Sequence, residues 1–265
     1  MLTKIAITID VEPPVSENVV LKILGVLGQY RIPATFFFTG RVLEHHKDLA
    51  FSLIEAGHEL ALHGYKHSLW QGKNIERKKD IARAIDVFKD VVGEHPAGFR
   101  APYGNMDEAT MRVLEKNGMQ YDSSILPTLF RVERRKITPQ SMSLMRAPQA
   151  PYHPSHEDIA TNGNMHIVEI PFSVLPIVRL PIGLGYVLLF GLNFFKFFVQ
   201  FYHKDLMTVY FHPYELCKQT LSAGAPSEIR RYYGRDVDPL TVLTALIEFL
   251  MMRFRPNFIR MEEIV

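Results

Sequence analysis

Lys4-Ile5-Ala6-Ile7-Thr8-Ile9-Asp10 runs without a break into Val11-Glu12-Pro13-Pro14. A short run rich in isoleucine and ending in charge predicts a buried strand. The residues just beyond it narrow the fold. An open sheet that binds nucleotides places a glycine-rich phosphate loop at that point, whereas this chain places two carboxylates and two prolines there. Downstream, apolar runs alternate with amphipathic ones. Strands are expected at 34–38, 59–62, 98–100 and 119–122, with helices at 17–29, 41–56 (closed by Gly57), 75–92 and 107–117 between them. A polar, proline-bearing insert at about 125–164 interrupts the alternation. Strands at 165–170 and 207–211, a helix at 239–253 and a last strand at 257–262 complete it. Regular β-α alternation predicts a parallel sheet covered by helices, either a barrel or an open doubly wound sheet.

The 265 residues read as one domain with no linker or internal repeat, and 47% hydrophobic content supports a sizeable core. With 30 Lys and Arg against 28 Asp and Glu, the charge gives no case for a nucleic-acid partner. The basic clusters at 131–136 and at Arg230-Arg231 read as solvated loops. The lone Cys217 excludes an intramolecular disulfide framework. The start of the chain enters a strand directly, unlike a signal peptide, so a cytoplasmic protein is expected. Residues 180–195 carry no charge, but they contain Pro181, Gly183, Gly185 and Gly191 and fall short of the roughly 20 residues of a spanning helix. They read as a glycine-containing loop and an apolar helix packed on the barrel, with contact to a membrane surface as the alternative.

Chemistry concentrates where strands run into loops, which is where barrels of parallel strands keep their active sites. Asp10, His63, Arg100, Asp122 and His212 each close a predicted strand. Each has an ordinary reading alone, such as a helix cap for Asp10, a surface ion pair for Arg100 or an Asx turn for Asp122. Together they predict one shared mouth. In His63-Gly64-Tyr65-Lys66-His67 two imidazoles stand four positions apart, a spacing that would converge them on one helical turn. With a nearby carboxylate they would suit Zn²⁺ or a related divalent ion.

These residues resemble, in order, the motifs of the polysaccharide deacetylases of carbohydrate esterase family 4. Thr8-Ile9-Asp10-Val11-Glu12 resembles the Thr-Phe-Asp-Asp motif, in which the first Asp is the catalytic base and the second a metal ligand. Asp10 takes the first place. Val11 stands at the second, so the resemblance points to Glu12 as the substitute ligand, with Asp10, Glu12 or both left open. His63 and His67 match the metal-binding histidines. Arg100-Ala101-Pro102-Tyr103 is similar to the Arg-x-Pro motif, whose Arg orients the base and whose following backbone N–H, here at Tyr103, helps hold the oxyanion. Tyr121-Asp122-Ser123-Ser124 resembles the segment whose Asp pairs with that Arg, and Tyr210-Phe211-His212-Pro213 the motif whose His is the general acid.

The resemblance implies an irregular (β/α) barrel, often seven-stranded, and a divalent cofactor, Zn²⁺ first, with Co²⁺, Ni²⁺ or Fe²⁺ as alternatives. It implies a hydrolase that removes the N-acetyl group from a polysaccharide, an oligosaccharide or a lipid- or nucleotide-linked sugar. The later motifs are closest to a branch associated with surface-glycan synthesis. Gly64 replaces the usual hydroxyl residue after the first metal His, the family's acetate-pocket Trp has no counterpart after Asp122, and Tyr210 stands for the pocket Leu. A small cyclic amide or ureide is therefore a second candidate substrate, and an inactive glycan-binding module a third reading. Trp70, the single tryptophan, reads as core or rim packing, and His58 as structural.

Overall fold

The computed structural model describes residues 4–68, 74–133, 136–139, 142–217 and 238–265; Trp70 and the Arg230-Arg231 pair lie outside them. In chain order the strands are β1 (Lys4–Val11), β2 (Ala34–Phe38), β3 (Glu59–Leu62), β4 (Gly98–Phe99), β5 (Tyr121–Asp122), β6 (Phe130–Glu133), β7 (Lys136–Pro139), β8 (Val168–Glu169), β9 (Leu206–Phe211) and β10 (Asn257–Phe258). Seven of them run parallel in the spatial order β8-β5-β4-β3-β2-β1-β9. β10 pairs with Lys4 and Ile5 before β2 takes over that side of β1 at Ile7. Between β9 and β8 the ladder is replaced by a crossing segment: Ser173 N–H donates to Thr208 Oγ1 at 2.7 Å, Thr208 N–H to Ser173 Oγ at 2.9 Å, and Tyr210 N–H to Ile182 O at 3.1 Å. The sheet therefore rolls into the irregular seven-stranded barrel that the resemblance implied.

Strand alternation sorts side chains to the two faces of this sheet. Ile5, Ile7, Ile9 and Val11 pack outward in the large cluster shared with the helices, while Ala6 joins Phe37, Ala61, Tyr121 and Ile170 inside. Thr8 and Asp10 share the parity of Ala6, and so does Glu12, one residue past the strand end. The helices are α1 (Glu17–Gln29), α2 (Gly40–His45), α3 (Lys47–Glu55), α4 (Asn74–Val92), α5 (Glu108–Lys116), α6 (Met142–Arg146), α7 (Leu184–Phe190), α8 (Leu192–Val199) and α9 (Pro239–Phe254).

Most expected elements stand where they were placed, with four differences. The helix expected over 41–56 is two, because Thr39 caps α2 by accepting from Val42 N–H while His46, at φ −129°, breaks the run. The apolar helix expected within 180–202 is also two, divided by Gly191 at φ +93°, a backbone conformation that favours glycine. The strands expected at 119–122, 165–170 and 257–262 shrink to two residues each, and the last continues as a 3₁₀ turn at Met261–Ile264. The insert carries structure of its own: β6 and β7 form an antiparallel hairpin where a basic loop was expected.

Gly98 shows how tightly the barrel interior is filled. The Tyr121 ring lies across it, so that a Cβ there would sit 1.9 Å from Tyr121 Cζ. That ring cannot swing aside without breaking the 2.6 Å bond from its hydroxyl to the buried Glu59. Gly98→Ala is expected to destabilise the fold by roughly 2 kcal/mol or more, read as a lower urea midpoint with an unchanged slope.

Candidate active site

Arg100, 1% exposed, is the centre from which the site is built. Its Nη1 donates to Asp10 Oδ1 at 2.6 Å and to Thr8 Oγ1 at 3.1 Å, while Nε and Nη2 donate to Ser123 O and Oγ at 2.9 and 3.0 Å. The guanidinium lies between the rings of Phe37 and Phe172, 4.1 and 4.4 Å from their centroids. Burial pushes the Asp10 carboxyl up, but the charges of Arg100, His63 and His212 together outweigh it and hold it below its ordinary value. Asp10 is thus an ionised carboxylate whose Oδ2 lies 3.8 Å from His212 Nε2.

His63 and His67 do converge, with ring centroids 5.0 Å apart, but no helix brings them together. Residues 63–68 form a loop that turns at Gly64 (φ +69°) and His67 (φ +54°). Asp80 on α4 clasps it, accepting from Tyr65 N–H at 2.7 Å and Lys66 N–H at 3.3 Å, and Gly40 N–H of α2 donates to Gly64 O. The glycine that departs from the family motif therefore stands at a positive-φ turn. His63 Nδ1 faces Arg100 O at 2.8 Å, a contact that fixes the ring and turns Nε2 to the cavity.

Glu12 supplies the third ligand-type atom. Its Oε2 is 3.5 Å from His63 Nε2 and in close contact with His67 Nε2. One oxygen or nitrogen from each of the three lies within 4.8 Å of the others. Glu12 Oε2 is buried with no hydrogen-bond donor, so it meets only the two imidazoles. Burial raises the Glu12 carboxyl, yet its contacts with His63 and His67 hold it far below the ordinary range. A buried, bare carboxylate oxygen facing two imidazole nitrogens fits a divalent ion of the Zn²⁺, Co²⁺, Ni²⁺ or Fe²⁺ type. Asp10 lies outside this set, turned instead to Arg100 and His212.

His212 follows β9. Burial opposes its protonation, but the hydrogen bond to Glu215 Oε1 at 3.0 Å and the charges of Glu12, Glu215 and Asp10 raise its pKa to about 9. Tyr214 stacks on the imidazole at 4.6 Å. Tyr103, at the rim, takes φ +58°, a left-handed conformation uncommon outside glycine, and its ring lies 4.4 Å from that of His67. One cavity of about 250 Å³ joins Asp10, Glu12, His63, His67, Arg100, Tyr103 and His212.

Asp122, expected to pair with Arg100, feels the charge of that guanidinium without a direct contact to it. It is fully buried, does not line the cavity, and makes no ion pair with Arg100, whose carboxylate partner is Asp10. Asp122 accepts from Ser124 N–H and Oγ–H at 3.0 and 2.8 Å, and that same Oγ accepts from Ala101 N–H at 2.7 Å. The carboxyl of Glu169, paired in register with Asp122, is pushed well above its ordinary range by burial and by Asp122's charge. Ser123, Ser124, Glu215 and the cavity aromatics Phe172, Tyr186 and Tyr214 were missed as site residues. Only Glu215 left a signal, three positions after His212.

Residues 3–121 match the polysaccharide deacetylase family model. The chain is 29% identical over 106 residues to a peptidoglycan deacetylase of Helicobacter pylori, an alignment that spans 40% of this chain and 36% of that protein. The chain spans about a third of the length of the first curated relatives it matches. Over 99% of its length it superposes on the peptidoglycan deacetylase PdaC of Bacillus subtilis (TM-score 0.56, 14% identity, 90% of that chain). It superposes over the same share on the Puue allantoinase (TM-score 0.64, 16% identity, 88% of that chain). At these identities the superpositions establish the fold alone.

If Glu215 holds the proton on His212, the imidazole of the metal-free protein titrates near 9, and in Glu215→Gln its pKa falls by at least about one pH unit. Histidine ring NMR across pH 5–10 checks this; an unmoved titration would remove Glu215 from the site.

Proposed function

Because residues 3–121 match the polysaccharide deacetylase family model, we propose that the chain is a metal-dependent hydrolase of that family that removes the acetyl group from an N-acetylated sugar. One observation carries the reading: an ionised carboxylate and a protonated imidazole, 3.8 Å apart, border a cavity that also holds an N, N, O donor set. Amide hydrolysis needs a base for the attacking water and an acid for the departing amine. In this reading Asp10 Oδ2 takes the water proton as oxygen adds to the acetyl carbonyl carbon. His212 then protonates the nitrogen as the C–N bond breaks, giving acetate and a free amine. Arg100 keeps Asp10 ionised and pinned through Oδ1, and Glu215 keeps His212 charged. Glu12, His63 and His67 would hold the divalent ion, which when bound acidifies water and polarises the carbonyl. Tyr103, beside His67 at the rim, is assigned to the oxyanion through its backbone N–H. Asp122 positions Ser124 and touches no reacting atom.

The cavity lies below the roughly 300–1,000 Å³ of sites that engulf drug-sized ligands, so it suits one acylated sugar ring whose remainder stays outside. That compactness also favours a second reading, ring opening of a small cyclic amide or ureide.

With Zn²⁺ or Co²⁺ present, acetate release from N-acetylglucosamine and its oligomers is expected. Removal of metal by a chelator, or His63→Ala, abolishes it. His212→Ala lowers kcat by about 10²–10⁴-fold. No acetate from any N-acetyl sugar in the loaded protein sinks the deacetylase reading, and turnover of hydantoins or ureides in its place establishes the second. The pH profile has a basic limb as well. His212 acts as an acid only while protonated, so the rate falls about tenfold per pH unit above the pKa, which stands near 9.

A further inference from the structure

The paired helices α7 and α8 bury only part of their apolar surface. Leu184, Val187 and Leu188 of α7 and Phe195 and Val199 of α8 face the core. Their other sides carry an aromatic strip. Tyr186 lines the catalytic cavity, and Phe190, Phe194 and Phe198 follow at four-residue steps. Phe190 stacks on Phe194 at 5.2 Å, Phe194 meets Phe198 at 4.8 Å, and Phe197 meets Phe201 at 5.8 Å. Phe190, Phe197 and Phe201 remain 41%, 57% and 42% exposed, and Met252 on α9 is 74% exposed. Aromatic rings gathered on a surface mark a binding face, and such rings settle readily at the membrane–water boundary.

Charge narrows the occupant. From 173 to 204 there is no Asp or Glu. Lys196 on α8 lies over the Phe249 ring of α9 at 5.1 Å, while Arg179 and Lys204 are tied to the Pro127 and Met145 carbonyls and to Gln149. Arg253, at the end of α9, donates to Gln200 O at 2.9 Å, which sets it beside the end of α8. Asp205 comes just after the strip, and Glu248, the acid before Arg253 on α9, accepts from Tyr30. A second copy docked by two-fold symmetry would bring this cationic border against itself, whereas an anionic bilayer complements it. Neither helix is long and apolar enough to cross a membrane, so the strip could only lie along its surface.

We propose that α7 and α8 form a membrane-surface binding face, laid in the headgroup layer of an anionic bilayer, which presents the cavity mouth beside Tyr186 to amphiphiles of the same leaflet. Resting on the deacetylase reading, this names the substrate class: an acylamino sugar carried on a lipid.

Flotation with vesicles of phosphatidylcholine, alone or mixed with phosphatidylglycerol, tests the surface without turnover. The protein is expected to float with the mixed vesicles and to be released at high salt. In the triple variant Phe190→Ser, Phe197→Ser, Phe201→Ser, partition falls at least about tenfold. Its thermal melt and its hydrolysis of a soluble N-acetyl sugar stay unchanged. Lys196→Gln with Arg253→Gln lowers binding only where phosphatidylglycerol is present. Absence of wild-type binding to either vesicle, undiminished binding by the triple variant, or a dimer in sedimentation equilibrium that the triple variant dissolves would each overturn the proposal. A protein that floats but releases no acetate overturns the deacetylase reading alone. One that deacetylates soluble sugars but ignores vesicles overturns the membrane face alone.

Discussion

A buried guanidinium must be paired on all sides or it unfolds its surroundings, because an uncompensated charge in a dry interior is strongly destabilising. Arg100 satisfies that demand by reaching four separate pieces of chain: Thr8 and Asp10 on β1, Ser123 after β5, the Phe37 ring on β2 and the Phe172 ring after β8. Its own backbone adds two more ties. Its carbonyl faces His63 Nδ1, and the next amide, at Ala101, donates to Ser124 Oγ. Asp10, His63 and the β5 loop are therefore positioned by one residue. The same contact that keeps Asp10 ionised fixes which of its two oxygens faces the cavity. Fold and reactivity share a single electrostatic requirement here.

Period-two alternation accounts for much of what could be read in advance. Because Ala6 points into the barrel, Asp10 does too, and Val11 must point out to the helices, where it packs with the core. A ligand two positions after Asp10 shares its face, whereas one position after would not while the chain stays extended. Strand geometry thus sets Asp10 and Glu12 on one face, and it separates the carboxylate that meets Arg100 from the one that meets the two imidazoles. The convergence of His63 and His67 was legible, but its cause was not. The four-residue spacing suggested a helix, while the glycine between them and the distant Asp80 make a loop instead. The surroundings of Asp122 were legible only in part. Its place at a strand end was visible, but its partners, Ser124 nearby and Glu169 across the β5–β8 register, depend on an insert whose path the sequence pattern does not encode.

Buried ionisable groups occur at the other end of the barrel as well, and there the chemistry is structural. Glu59, at the start of β3, accepts from Thr35, Tyr121 and the Glu262 amide, and burial raises its pKa to about 7. His58 is held neutral by burial, with its pKa lowered to about 4, and its Nδ1 accepts from Ala34 N–H. Both are as perturbed as the groups of the cavity, so perturbation alone does not identify a site. Strand direction does. Glu59 and His58 lie where strands begin, Asp10 and His212 where they finish, and the latter end is where barrels of parallel strands keep their active sites.

That polarity also explains how acids two residues apart can differ in task. Asp10 and Glu12 are both desolvated, and burial alone would leave both protonated. Each is kept charged by a different neighbour. Arg100 is a permanent cation that engages one Asp10 oxygen and leaves the other for a proton in transit. Glu12 faces two imidazoles, whose nitrogens can share a metal ion with it but cannot replace Arg100 as a fixed charge. The order Asp-x-Glu along β1 is therefore a consequence of which cation the barrel wall places opposite each position, Arg100 from β4 for the first and the β3 loop histidines for the second.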